Sequence, residues 1–108
     1  MSRGGFEVLW AETAIQDLER IVDFIAQEAP LAAQRLFDGI AAKSRTLQTL
    51  PHRGRVVPEL ARFEITTYRE LIIRPFRLLY RVDGKRVLVV ALFDGRRDLE
   101  DVILTRLV

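Results

Sequence analysis

The sequence predicts an α+β fold: an antiparallel helical hairpin packed on one face of a mostly antiparallel sheet, in the order strand–helix–helix–strand–strand–strand with a short C-terminal helix. Two observations carry that expectation. Between Thr13 and Leu50 apolar residues recur at the helical period, interrupted once at Pro30. From Ile65 onward the pattern switches to strand-like alternation, punctuated by Arg74-Pro75 and Asp83-Gly84. The helices come first and the long strands after them, so the sheet must supply its own pairing partners.

Phe6 to Trp10 alternates loosely and reads as a first strand. The first helix is expected to open with Thr13 as N-cap and Gln16 three residues on, a capping-box pattern. Ile15, Leu18, Ile21, Val22 and Ile25 form its apolar stripe; Gln16, Asp17, Glu19, Arg20, Asp23 and Gln27 fill the other side. Pro30 breaks that helix and suits the N1 position of the next. There Ala33, Leu36, Phe37, Ile40, Leu47 and Leu50 make the stripe, Asp38, Lys43 and Arg45 face water, and Pro51 ends the run. A connection this short forces the two helices antiparallel. Residues 52–63 read as a loop punctuated by Gly54 and Pro58. The second strand spans Ile65 to Ile73 and the third Phe76 to Val82. The fourth, Arg86 to Phe93, is apolar on both faces and therefore central. Leu99, Val102, Ile103, Arg106 and Leu107 fit a closing helix with Asp98 as its N-cap.

With Asp83-Gly84 as a two-residue turn, Val82 pairs with Lys85, Arg81 with Arg86, Leu79 with Leu88 and Arg77 with Val90. The helices then cover Phe76, Leu78, Tyr80 and Val82 together with Val87, Val89, Ala91 and Phe93. The opposite face carries Arg77, Arg81 and Arg86 beside an apolar strip of Leu79, Leu88, Val90 and Leu92. A face half apolar and half arginine calls for a partner: apolar groups suit a protein segment, arginines a phosphate backbone or an acidic peptide.

At 108 residues the chain is expected to be a single domain, residues 1–108, with residues 1–5 a loose leader. No apolar run reaches the ~20 residues of a membrane span, and the leader lacks the apolar core of a secretion signal. Cysteine is absent, which removes disulfides and thiolate metal sites and makes the cytoplasm the expected compartment. Residues 1–51 hold 5 basic and 7 acidic side chains, residues 52–108 hold 12 and 8, and 15 of the 17 basic residues are Arg. An arginine-rich GC-type codon bias leaves that asymmetry between halves unexplained.

Catalytic sets are sparse. His52 stands alone in a loop, with no second histidine to complete a metal-ligand spacing. Neither a nucleophile elbow nor a phosphate loop is present. No cofactor, metal or small-molecule substrate is expected. Arg77, Arg81, Arg96 and Arg97 are the candidates for binding an anion or a target; for Arg96 and Arg97 the competing reading is a salt bridge to Asp94 or Asp98. Arg55 and Glu59 are weaker candidates.

These residues resemble a known family. Ala14 to Leu18 and Ile21, Pro30 with Ala33 and Phe37, Leu50-Pro51 followed by Gly54-Arg55 and Pro58-Glu59-Leu60, Tyr68-Arg69-Glu70-Leu71, Phe76 to Arg81, and Gly95-Arg96-Arg97-Asp98-Leu99 resemble, in order and spacing, the RelE/ParE superfamily of bacterial type II toxins. The resemblance implies a toxin that inhibits growth when free and is neutralised by a cognate antitoxin with an extended or helical, often acidic segment; the strip of Leu79, Leu88, Val90 and Leu92 is expected to be covered by that antitoxin, by the C-terminal helix or by a second copy. It also implies one of two targets. RelE-like members cut mRNA on the ribosome, and Arg69, Arg77 and Arg97 match their basic positions. The second basic position on the Arg69 strand falls near Leu71, the C-terminal Tyr near Ile103, and Phe93-Asp94 stands where many relatives carry a His. Arginines alone leave a 2′-hydroxyl without a base, unless Glu59 or Glu70 serves. The expectation is therefore the non-nuclease, ParE-like branch directed at DNA gyrase, with Asp98-Leu99 and Arg106-Leu107 echoing it. A ribosome-dependent endoribonuclease and a degenerate, antitoxin-binding module are the alternatives.

Overall fold

The computed structural model describes residues 5–97 and 99–106, without the side chains of Leu104 and Thr105. The expected N-cap Asp98, Leu107 and most of the expected leader lie outside that range. The elements are β1 (Glu7–Trp10), α1 (Glu12–Ala26), α2 (Pro30–Arg45), β2 (Arg55–Val56), α3 (Pro58–Ala61), β3 (Tyr68–Ile73), β4 (Phe76–Asp83), β5 (Arg86–Asp94) and α4 (Leu99–Arg106), with a 3-10 turn at Thr46–Gln48 after α2. They build one five-stranded sheet ordered β1-β5-β4-β3-β2, parallel between β1 and β5 and antiparallel elsewhere. The expected α+β architecture holds. What reads as a plain loop between α2 and β3 also contributes a short edge strand and a helical turn.

Helix α1 starts one residue before Thr13, with Ala11 at the cap position and no side-chain cap bond. The reason is tertiary: the Ala11 N–H donates to the Val89 carbonyl, so sheet pairing runs up to the helix and leaves no capping box. Pro30 sits at the start of α2 as expected. The hairpin buries Ala14, Ile40 and Leu47 against Leu71, Phe76, Leu78, Tyr80, Val87, Val89 and Leu92, with Trp10, Leu18, Ile21, Ile25 and Leu36 closing the margins. Ile15, Phe37 and Leu50 lie on the outer surface instead, at 42%, 42% and 60% exposure.

A second apolar cluster lies on the opposite face. Val57 and Leu60 from the α3 segment and Leu99 and Val102 from α4 cover Leu79, Val90, Ala91 and Phe93. This face is therefore not bare: the chain's own segments cover part of it.

Two register facts correct the face assignments. Asp83 pairs with Arg86, so Gly84 and Lys85 form the turn, Gly84 at φ +62. Arg81 consequently faces Leu88, and Arg86 lies opposite Asp83 and 3.6 Å from Glu7 Oε1, which removes the expected like-charge contact. Between Leu79 and Tyr80 the ladder shifts, because Val90 is the extra residue of a bulge on β5. Val90 and Ala91 share one side, and every later residue changes face. Ala91 and Phe93 thus turn away from the helices, while Leu92 turns toward them.

Candidate functional site

Two arginines, Arg77 and Arg55, meet on the second face around the buried Glu70. Arg77 follows Phe76 and precedes Leu78, both packed under the hairpin, so strand alternation sends its side chain to the other side. There its Nε donates to Glu70 Oε1 at 2.6 Å, and its two terminal nitrogens donate to Glu59 Oε2 and Oε1 at 2.9 Å each. The guanidinium also lies 5.5 Å from the Phe93 ring centroid. Glu70 is buried and its second oxygen accepts Arg55 Nε at 2.6 Å. Two carboxylates and two guanidiniums thus make a neutral chain running from α3 through the sheet to β2.

The electrostatics follow. Hydrogen bonds from Arg77 hold the Glu59 carboxyl below its ordinary value despite partial burial. The same bonds, from Glu59 first and then Glu70, raise Arg77 above its ordinary value. Three of the roughly five N–H donors of Arg77 are spent on carboxylates. A carboxylate kept ionised by its own ion pair is a weak general base. The cluster is built for fixation: it pins α3 to the sheet.

The other candidates are dispersed. Arg69 pairs across the ladder with Tyr80, on the hairpin face, and its Nη1 donates to the carbonyls of Gly54 at 2.8 Å and His52 at 3.3 Å. Arg69 and Arg77 therefore point to opposite faces, so Arg69, Arg77 and Arg97 do not gather on one face. Arg96 is bound to Asp94 through Nε and Nη2 at 2.9 and 2.6 Å, which pulls the Asp94 carboxyl down to about 2. Arg97 is exposed where β5 ends, between a groove of about 570 Å³ lined by Leu60, Phe63, Leu99 and Ile103 and one of about 470 Å³ lined by Ile21, Phe24, Pro75 and Phe76. Arg81 is half-buried, and its Nε has no partner among the described residues. Of the apolar strip, Leu79, Val90 and Leu92 are buried within the chain, Leu92 on the hairpin side; Leu88 alone is half-exposed. His52 is exposed. Among the described residues no group of His, Asp or Glu could hold a metal ion, and no helix is long and apolar enough to cross a membrane.

Sequence reading missed two features. Asp17, assigned to the solvated side of α1, is 3% exposed; its place three residues after Ala14 and four before Ile21 was the available signal. Tyr80 accepts a hydrogen bond from the Gly54 N–H at 2.9 Å, and burial raises its hydroxyl above the ordinary value. A Cβ on Gly54 would lie 2.6 Å from the Glu70 carbonyl oxygen, so the loop closes here because the residue is glycine.

With this geometry in place, the model of the ParE toxin of the type II toxin–antitoxin system parDE matches residues 8–99. The chain belongs to the ParE toxin family. Toxin RelE2 of Caulobacter vibrioides is similar, 36% identical over 80 residues that cover 72% of this chain and 83% of that one. Two solved structures share the fold of this ParE-family toxin. The chromosomal ParDE system from P. aeruginosa matches with a TM-score of 0.69 at 23% identity, over 84% of this chain and 97% of that chain. The toxin–antitoxin complex RelBE2 from Mycobacterium tuberculosis matches with a TM-score of 0.59 at 20% identity, over 83% and 91%.

Proposed function

We propose that this single-domain toxin inhibits growth in the cytoplasm when free, is neutralised by a cognate antitoxin, and acts on DNA gyrase without cleaving nucleic acid. The observation that carries this reading is the state of Arg77. Cleavage of RNA needs cations at the phosphate and a group that moves a proton. Arg77 is neutralised by Glu59 and Glu70, and Arg69 lies on the other face of the sheet. Antitoxin as partner is supported by two structural neighbours that are themselves a ParDE system and a RelBE2 complex.

Induction without antitoxin is expected to give filamentous cells with broken DNA while translation continues. Early loss of protein synthesis over intact DNA would instead support a ribosome-dependent mRNA interferase built on Arg69, Arg77 and Arg97, the reading favoured by the similarity to a RelE-named toxin. A harmless chain that still binds the antitoxin would leave only a binding module.

A further inference from the structure

The sheet ends at β1, and that end is open. Because β1 runs parallel to β5, its bonds to that neighbour alternate: the Glu7 and Ala11 N–H groups donate to the Lys85 and Val89 carbonyls at 2.9 Å each. Val8 and Trp10 therefore turn their N–H groups to the outer side, where no described strand pairs with them. The first outward N–H, that of Phe6, is already taken by the Gln48 carbonyl at 2.8 Å. Exposed strand edges are commonly blunted by a lysine, a proline or a bulge. β1 has none of these; its single charge, Glu7, stands at its start.

Apolar surface flanks this edge on both sides of the sheet. Leu9 faces away from the hairpin and is 37% exposed. On the hairpin side Val8, Trp10, Ile15, Leu18 and Phe37 line a groove of about 460 Å³, and Ile15 and Phe37 are exposed. An apolar strand laid along β1 fits both sides, and β1 is itself such a strand. A second β1 turned by half a rotation about Leu9 sets Trp10 opposite Val8, Val8 opposite Trp10, and Leu9 opposite Leu9. The outward backbone groups then meet one another as two hydrogen-bonded pairs, and Leu9 with its copy forms the close, non-hydrogen-bonded pair. The same register matches charge. Gln48 holds the end of α2 beside Phe6, and Arg45 lines the groove there. Glu12, exposed at the start of α1, comes opposite Phe6 of the other copy and so faces its Arg45. The rotation repeats that contact, so one surface complements itself.

We infer that β1 is an interface for a second copy of this chain, joining two five-stranded sheets edge to edge with Leu9 on the two-fold axis. The inference is independent of what the toxin acts on. The chain has no cysteine, so single cysteines report the register, with circular dichroism checking that each variant folds. Across a non-hydrogen-bonded pair the Cα atoms lie about 4.5 Å apart, within disulfide reach. Position 7 and its copy are offset by four residues, about 14 Å. Sedimentation equilibrium of the purified chain at up to about 100 μM is expected to show a monomer–dimer equilibrium. On mild oxidation Leu9→Cys is expected to link into a dimer and Glu7→Cys to stay unlinked. Arg45→Glu is expected to weaken association about tenfold, since each contact occurs twice, and adding Glu12→Arg to restore it to within threefold of wild type. A chain that stays monomeric throughout overturns the inference. So does a dimer in which Glu7→Cys links as readily as Leu9→Cys, or one that the charge swap fails to restore.

Discussion

Arg106 and Asp17 close the molecule around the free edge of β5: the terminal nitrogens of Arg106 lie 2.5 and 2.6 Å from the two Asp17 carboxylate oxygens across 89 residues of sequence. Asp17 also accepts the Leu92 N–H at 3.0 Å and Arg20 at 2.7 Å. One carboxylate thus caps the part of β5 that outruns β1 and ties α4 on one face to α1 on the other. Arg106→Ala should cost about 3 kcal/mol, because it leaves a buried charge short of its main partner. Urea denaturation would read this as a lower midpoint at unchanged slope. The pair D17N with R106M should cost less than the two single changes together.

Acid should unfold the protein through the same residue. Burial pushes the Asp17 carboxyl up, but hydrogen bonds from Arg106, the Leu92 N–H and Arg20 outweigh it, leaving the group below its ordinary value. Glu59 is lowered as well, by Arg77. A folded-state value below the unfolded one gives stability that is full above the unfolded value and lost as pH falls through the folded one. Stability should stay flat from neutrality to about pH 5 and decline below about pH 4. Unfolding midpoints measured across that range check it, and Asp17→Asn should begin lower and decline less.

Arg77→Ala should be a folding variant before it is a functional one. It leaves Glu70 buried with Arg55 alone and releases Glu59, and with it the hold on α3. A loss of about 3 kcal/mol corresponds to a Tm lower by ten degrees or more in a domain of this size, at about 4–8 °C per kcal/mol. Thermal scans of Arg77→Ala and Arg77→Gln decide the point: an unaltered Tm with toxicity abolished would argue for direct target contact.

Gly54→Ala should be among the most damaging small substitutions. Its new methyl would meet the Glu70 carbonyl oxygen at 2.6 Å and the Tyr80 hydroxyl at 2.7 Å. Tyr80→Phe should be milder, about 1–3 kcal/mol, since it strands the Gly54 N–H without its acceptor. Comparing the two by chemical denaturation separates the steric effect from the lost hydrogen bond.

The order of the long elements was legible because each rests on local periodicity. Pro30 at the start of α2, the alternation of Phe76, Leu78, Tyr80 and Val82 toward the hairpin, and the family-like spacing from Leu50-Pro51 to Gly95-Arg96-Arg97 all survive in the structure. Edges were less legible. Thr13 reads as a cap in isolation, yet the bond from the Ala11 N–H to β5 moves the cap two residues earlier, to Ala11. The candidate site was legible as a list of arginines and not as an arrangement.

By itself, then, the sequence determined the elements, the hairpin and the α+β class, since backbone propensity and apolar period act within a few residues. Only the tertiary structure decided which face each late residue of β5 takes, because a bulge at Val90 changes the pairing without changing the composition. It also decided which arginines are spent. Glu59 and Glu70 reach Arg77 from 18 and 7 residues away, and a charge is neutralised by what folding brings beside it.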